Sequence, residues 1–383
     1  MLPASDSFTE LLSDPDMDFT DTVTENTLRA IRFERPEHIP VIFWINPACW
    51  HHYPQDALFE LMAEHRLLFP PSGVLRKESL GLRTDFTSED AVLPELAPWE
   101  RAGKPYTDSW GCVWETTDDG ITGSVTKHSL ADWDALQDFT PPNPAQTNGM
   151  AAIDWSVIEG KILKTSAVGK YGVGSLEHGH AFLRLSYLRG YEKLLLDMAD
   201  GDKRLWRLIE MVKEFSIGIV QRYVDLGVAM MRYPEDLGMQ LGPMLSPEHF
   251  RKYIKPIYEH LMAPAHKADC LVHIHSDGDI RELVDDLVVS GVDALNLQDI
   301  VNDIDWIASN LKGKVCIDID IDRQQITCFG SPEQIDRLIH QEVETLGSPE
   351  GGLMMIYGLY PGVPLENIKV IMDAMERYAT FYS

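Results

Sequence analysis

From about residue 160 the chain alternates between short apolar runs and longer amphipathic stretches, and this rhythm constrains the fold more than any other feature. The spacing predicts strands at Lys161–Val168, Val228–Arg232, Cys270–His275, Ala294–Gln298, Val315–Asp320 and Leu353–Tyr357, after a first strand at Ile39–Asn46. Helical periodicity fills Tyr191–Phe215, Pro247–Ala268, Ile280–Ser290, Pro332–Leu346 and Pro364–Tyr378. Repetition of strand and helix gives a parallel sheet covered by helices. No Gly-x-Gly-x-x-Gly follows any strand, so a dinucleotide-binding doubly wound sheet is disfavoured and a (β/α)8 TIM barrel is expected. Such a barrel needs about 250 residues. The 383 residues here leave room for two additions to a single domain. One is an acidic, helical N-terminal extension over residues 1–38. The other is a β-hairpin excursion over about 99–135, where Trp110, Val113 and Trp114 are interleaved with the turn formers Gly111, Asp118, Asp119, Gly120 and Gly123. Pro141-Pro142-Asn143-Pro144 then reads as a surface connection.

Charge narrows the partners. Acidic residues number 60 against 33 basic, a formal charge of -27. A field of that sign repels phosphate backbones and anionic bilayers, so neither nucleic acid nor membrane is an expected partner. The five cysteines include no Cys-x-x-Cys pair, which speaks against a disulfide framework or a zinc ribbon and fits a reduced, cytoplasmic setting. Met1-Leu2-Pro3-Ala4-Ser5-Asp6 lacks the basic start and apolar run of a signal peptide. No apolar run approaches the ~18 residues of a membrane span.

In a barrel the outer face of each strand packs on helices and is apolar. Polar side chains in alternation must then face the axis, near the C-terminal mouth where chemistry sits. Along Leu271–Gly278, Val272 and Ile274 share one face while His273, His275 and Asp277 share the other. Along Val315–Asp322, Ile317, Ile319 and Ile321 take the helix side and send Asp318 and Asp320 inward. Asn296 and Gln298 alternate with Leu295 and Leu297, and Arg232 and Asp236 share a face. Any one of these has an ordinary explanation. A lone inward polar group is often a satisfied core residue, and an Ile-Asp alternation also suits a solvated edge strand. The same pattern on several strands is what points to a site. Crowded carboxylates require a retained proton or a cation among them. His275 and Asp277, two residues apart on one strand face, are candidate metal ligands of types that zinc accepts, although two ligands do not complete a site. Gly169, Gly172, Gly174 and Gly179 lack the Gly-Lys-Ser/Thr of a P-loop and are expected to form a flexible mouth loop with Tyr171, Glu177 and His178. No Gly-x-Ser-x-Gly elbow is present.

At these residues the chain resembles the uroporphyrinogen decarboxylase superfamily, which includes porphyrinogen decarboxylases and zinc-dependent corrinoid methyltransferases. The resemblance runs from about Asn26 to Arg377. It is carried by Arg35-Pro36-Glu37-His38-Ile39-Pro40-Val41, Asp108-Ser109-Trp110-Gly111, Leu188-Arg189-Gly190-Tyr191-Glu192, Asp236-Leu237-Gly238-Met239-Gln240, Leu245-Ser246-Pro247-Glu248, His275-Ser276-Asp277-Gly278, Gly330-Ser331-Pro332-Glu333 and Pro364-Leu365-Glu366-Asn367. The decarboxylases carry an Arg-Gln-Ala-Gly-Arg loop after the first strand, whereas Pro47-Ala48-Cys49-Trp50-His51-His52 has no arginine. The methyltransferases carry His-x-Cys-Gly after the fifth strand and a further cysteine near the last. Here Asp277 stands at the first of those cysteines and Leu359 at the second.

The resemblance therefore implies methyl transfer between a small methylated substrate and a corrinoid, or from methylcorrinoid to another acceptor. An oxygen- and nitrogen-ligated zinc, or no metal, goes with that chemistry. No Asp-x-His-x-x-Gly is present, so the corrinoid is expected on a separate partner protein. Asp236 is expected to position or protonate the substrate, and His275 to act as general acid–base or, with Asp277, to bind metal. Asp320 supplies a second carboxylate. Trp44, Tyr171, Glu177, Asn296 and Gln298 are the expected substrate-binding residues. Two alternatives stand beside this reading: a metal-independent decarboxylase of a pyrrolic or aromatic acid, and a catalytically degenerate binding protein. A homodimer is the expected assembly.

Overall fold

The computed structural model describes residues 22–70, 96–167 and 169–383. In chain order its strands are β1 (Thr22–Val23), β2 (Val41–Ile45), β3 (Tyr106–Thr107), β4 (Val113–Glu115), β5 (Ser124–Lys127), β6 (Tyr171–Ser175) and β7 (Met230–Pro234). There follow β8 (Gly238–Met239), β9 (Gly242–Pro243), β10 (Leu271–Ser276), β11 (Ala294–Gln298), β12 (Cys316–Asp320) and β13 (Leu353–Leu359). The main sheet has the order β1-β6-β7-β10-β11-β12-β13-β2, with β1 antiparallel and the others parallel. Helices follow the parallel strands and cover their outer face, the arrangement of a TIM barrel.

Register assigns the faces. His275 lies opposite Asn296, Asn296 opposite Asp318, Gln298 opposite Asp320, Asp320 opposite Ile356, and Gly358 opposite Trp44. On the other face Val272, Ile274, Leu295, Leu297, Ile317, Ile319, Met355, Tyr357 and Leu359 are fully buried against the helix layer. The alternation read from the sequence thus sends the polar members to the axis. The barrel floor is apolar: Val173, Met230, Ala294, Cys316 and Met354 pack against Leu28, Ala30 and Ile31. Those last three lie on the helix Glu25–Ile31, which starts where the Thr24 hydroxyl accepts from the Thr27 N–H at 3.2 Å.

Three expectations need correction or division. Lys161–Val168 is not a strand, for Trp155–Ala167 is helical and buries Ile162 and Thr165 at helical spacing. The strand is β6, inside the glycine-rich segment expected to be a loop. Its glycines make room for crossing helices: a Cβ on Gly174 would collide with Tyr223 and Met231, and one on Gly172 would sit 3.1 Å from Ile162. The excursion extends the expected hairpin to a three-stranded antiparallel sheet, β3-β4-β5. The buried Asp108 carboxylate holds it to the barrel by accepting from Trp110 N, Cys112 N, Trp114 Nε1 and Arg184 Nη1, each at 2.9 Å. Within the N-terminal extension Glu25–Ile31 is helical, while residues 1–21 lie outside the described residues. Among the described residues no helix is long and apolar enough to cross a membrane, and all five cysteines are free thiols.

Candidate active site

Polar side chains rise in layers above the apolar floor. In the lower layer His273 Nε2 and Asp318 Oδ2 meet at 2.8 Å, both buried, and His273 lies opposite Arg232 in register. Burial lowers the His273 pKa against the upward pull of Asp318.

The next layer fixes a tautomer. Asn296 Nδ2 donates to the Asp318 carbonyl at 2.6 Å, which turns its Oδ1 toward His275 Nδ1 at 2.5 Å. An amide oxygen only accepts, so His275 Nδ1 carries the proton. The opposite nitrogen, Nε2, faces Asp236 Oδ1 at 3.6 Å and Asp277 Oδ1 at 3.7 Å. Both carboxylates lie beyond hydrogen-bond distance of that nitrogen, so this edge of His275 is open to a substrate group or a cation. Asp236, just beyond β7, also accepts from the Asp277 N–H at 3.1 Å, and its Oδ2 lies 3.3 Å from His178 Nε2. Burial pushes the Asp236 carboxyl upward, but the hydrogen bond and charge of His178, with His275, bring it down to about 2. Burial likewise opposes charge on His178, yet Asp236, Glu235 and Asp277 outweigh it and raise that imidazole.

The rim carries an internal cation. Arg323 Nη2 lies 3.0 Å from Asp277 Oδ1 and 2.8 Å from Asp320 Oδ2. Burial drives the Asp320 carboxyl well upward against the pull of Arg323, and Asp277, Asp299 and Asp318 push the same way. The Arg323 guanidinium lies 5.5 Å from the Tyr360 ring centroid, and Tyr360 meets Trp44 edge-on at 5.6 Å. Gly358 lets this group assemble: a Cβ there would sit 3.3 Å from Trp44 Cε3, 3.5 Å from Arg323 Nη1 and 3.6 Å from Tyr360 Cε2. Behind the rim Asp322 caps a helical turn, accepting from the N–H groups of Gln324, Gln325 and Ile326.

Of the residues expected from sequence, Asp236, His275, Asp277, Asp320, Asn296 and Gln298 converge on this mouth, with Trp44 on its inner wall. Glu177 sits at the end of β6, where Asn148 Nδ2 donates to it and burial raises its pKa. The two amides are committed to the protein. Asn296 bridges His275 and Asp318, and Gln298 Oε1 accepts from the Gly278 N–H at 2.9 Å. Tyr171 is not a mouth residue. It opens β6 at the opposite end of the barrel, pairs with Val23, and donates its hydroxyl to Glu25 at 2.8 Å.

Arg323 has no counterpart in the sequence analysis, and His178 enters it only as part of the expected mouth loop, without a role. Both sit in loops just past strand ends, where alternation has stopped. Their position directly after β6 and β12 is the signal that would have found them.

Two groups offer three close ligand atoms: His178 with Asp236 and His275, and His275 with Asp277 and Asp320, each within 4.8 Å of one another. The second already contains the Arg323 guanidinium. Leu359, which the resemblance sets against a ligand cysteine, faces outward into the helix layer.

No curated protein sequence is significantly similar to the chain. Among solved structures, a methyltransferase from Methanosarcina mazei superposes with a TM-score of 0.58 at 18% identity, over 95% of this chain and 100% of the other. A sugar phosphate isomerase/epimerase from Parabacteroides distasonis reaches a TM-score of only 0.33 at 14% identity, over 58% of this chain and 77% of the other. The model of the uroporphyrinogen decarboxylase (URO-D) family matches residues 175–378, more than half of the 383 residues and every strand from β7 to β13. With the polar mouth and the barrel topology, that match establishes that the chain belongs to the URO-D family.

Proposed function

We propose that this chain is a methyltransferase that moves a methyl group between a small methylated substrate and a corrinoid presented by a separate protein. The observation that carries the reading is the His275 edge. Asn296 fixes its tautomer and Asp236 and Asp277 face its other nitrogen, so a proton or a cation placed there would sit at one defined point of the mouth. Methyl transfer needs such a point. An ether oxygen or amine nitrogen leaves poorly until it is protonated or metal-bound. In the proton-driven form the corrinoid would supply the methyl acceptor as the methyl–heteroatom bond breaks. The released electron pair stays on the heteroatom, which takes the proton from His275 Nε2. Asp236 holds the imidazole in line and stabilises its charged form before transfer. Trp44 and Tyr360 give the substrate an apolar wall. A bound divalent metal would polarise the heteroatom in place of the proton.

The superposition on a structure named as a methyltransferase supports this reading. So does the helical turn Cys49–His52 after β2, which has no arginine to hold substrate carboxylates. The test is spectroscopic. Conversion of Co(I) corrinoid to methyl-Co(III) is followed with a panel of methylated ethers, amines and thioethers. Activity with at least one, falling by about 100-fold or more in His275→Ala, supports the reading. Absence of methyl transfer, with turnover of an aromatic or pyrrolic acid to carbon dioxide instead, would establish decarboxylation.

A further inference from the structure

We propose that His178, Asp236 and His275 form a three-ligand centre for a divalent transition metal of the zinc class, with coordination positions open to the mouth. The inference concerns the same mouth as the proposed reaction but stands on ligand geometry, whichever group is transferred there. The ligands come from the ends of β6, β7 and β10, consecutive neighbours in the sheet, so the barrel itself sets their spacing. His178 Nε2 lies 3.3 Å from Asp236 Oδ2, and His275 Nε2 lies 3.6 Å from Asp236 Oδ1. The second shell is already built. His275 gives its Nδ1 proton to Asn296, leaving Nε2 as the coordinating nitrogen, and the Asp277 N–H fixes the Asp236 carboxylate at 3.1 Å. Metal-ligating histidines are oriented in this way.

The rival group, His275 with Asp277 and Asp320, is filled by protein. Arg323 Nη2 lies within 3.0 Å of both carboxylates, and a metal there would be set against a fixed guanidinium charge. The two cation positions are therefore divided: the guanidinium neutralises the β12 side of the mouth, and the metal takes the β6–β7 side. Side-chain exposures of 46% for His178, 29% for Asp236 and 23% for His275 leave room for water or substrate on the ion. Two imidazoles, one carboxylate and open positions are the donor set of a catalytic rather than a structural zinc site.

The test uses full-length protein stripped with a chelator and titrated with Zn(II) alone, read by calorimetry and by metal analysis after gel filtration. One equivalent per chain is expected. His178→Ala, Asp236→Ala and His275→Ala should each weaken binding by about 100-fold, while Asp277→Asn and Asp320→Asn retain the full equivalent. Circular dichroism and thermal melts verify the fold of each variant, and His178→Gln provides a milder change at the most exposed ligand. Substituted Co(II) should show d–d bands without thiolate charge-transfer absorption. Failure of the wild-type chain to hold one equivalent would overturn the proposal. So would wild-type affinity in His178→Ala, or loss of the ion in Asp277→Asn with His178→Ala unaffected. Metal is measured without turnover, so a metal-binding chain that moves no methyl would refute the reaction and leave the centre standing.

Discussion

Removing the Arg323 guanidinium probes the charge balance of the mouth most directly. Its Nη2 stands 2.8 Å from Asp320 and 3.0 Å from Asp277, with side-chain exposures of 17% for Arg323 and 6% for Asp320. Arg323→Met keeps much of the stem but leaves Asp320 buried among Asp277, Asp299 and Asp318 without its cation. Taking one partner from a buried pair costs about 3–5 kcal/mol. Asp277 is too wet to add much, and Asp320 can take up a proton instead of remaining charged, so the expected loss is at the low end, about 3 kcal/mol. A domain of ordinary stability, about 5–15 kcal/mol, survives that and can be measured. Urea unfolding of wild type, Arg323→Met, Asp320→Asn and the double variant closes a cycle. The double variant should recover about 2 kcal/mol relative to the sum of the singles. An Arg323→Met stability within about 0.5 kcal/mol of wild type, or strict additivity, would show that the guanidinium does not neutralise Asp320, and the reasoning would fail.

Three further outcomes are expected. Asn296→Ala removes the acceptor for His275 Nδ1 and the donor to the Asp318 carbonyl, and should weaken Zn(II) binding by about 10- to 100-fold; equal affinity in calorimetry would refute the tautomer argument. Glu342 is fully buried, and burial beside Asp299 holds its carboxyl well above the ordinary glutamate value of 4.5. The folded chain keeps a proton that the unfolded chain releases near that value, so stability is lost as pH rises above it. Glu342→Gln should therefore show a Tm advantage that grows between about pH 4 and about pH 8, and parallel melting curves would contradict this. Asp108→Ala strands the buried Arg184 charge and three further donors, and should cost about 3–5 kcal/mol in urea unfolding; a loss under about 1 kcal/mol would mean the β3–β5 sheet is held otherwise.

The strands legible in the sequence are those whose two faces differ in polarity. β10, β11 and β12 place branched aliphatics against helices and His, Asn or Asp toward the axis, so position and orientation could be read together. β6 was not legible because Gly172 and Gly174 mark it as a turn by composition, whereas their real purpose is the close approach of Ile162, Tyr223 and Met231, which a linear sequence does not display. The same limit applied to the site. Spacing of two residues along one strand links His275 to Asp277, but the partnership of His275 with His178 and Asp236 crosses three strands and appears only once β6, β7 and β10 are neighbours. Arg323 was hidden for a related reason. Its contacts depend on a loop folded back by the Asp322 cap.

Gly358 has a consequence for the history of this barrel. The inner wall of the last strand carries no side chain at that point, and of the indole, guanidinium and phenol that line the space only the indole would press on a Cβ there. A cysteine arising at Leu359 would be buried under the helices, whereas the Cβ of one at Gly358 would need the Trp44 ring to give slightly and would meet Arg323 and Tyr360 at ordinary contact. A sulfur donor on this strand would therefore enter the mouth from Gly358 and not from Leu359, and its first effect would be to press on the Trp44 indole.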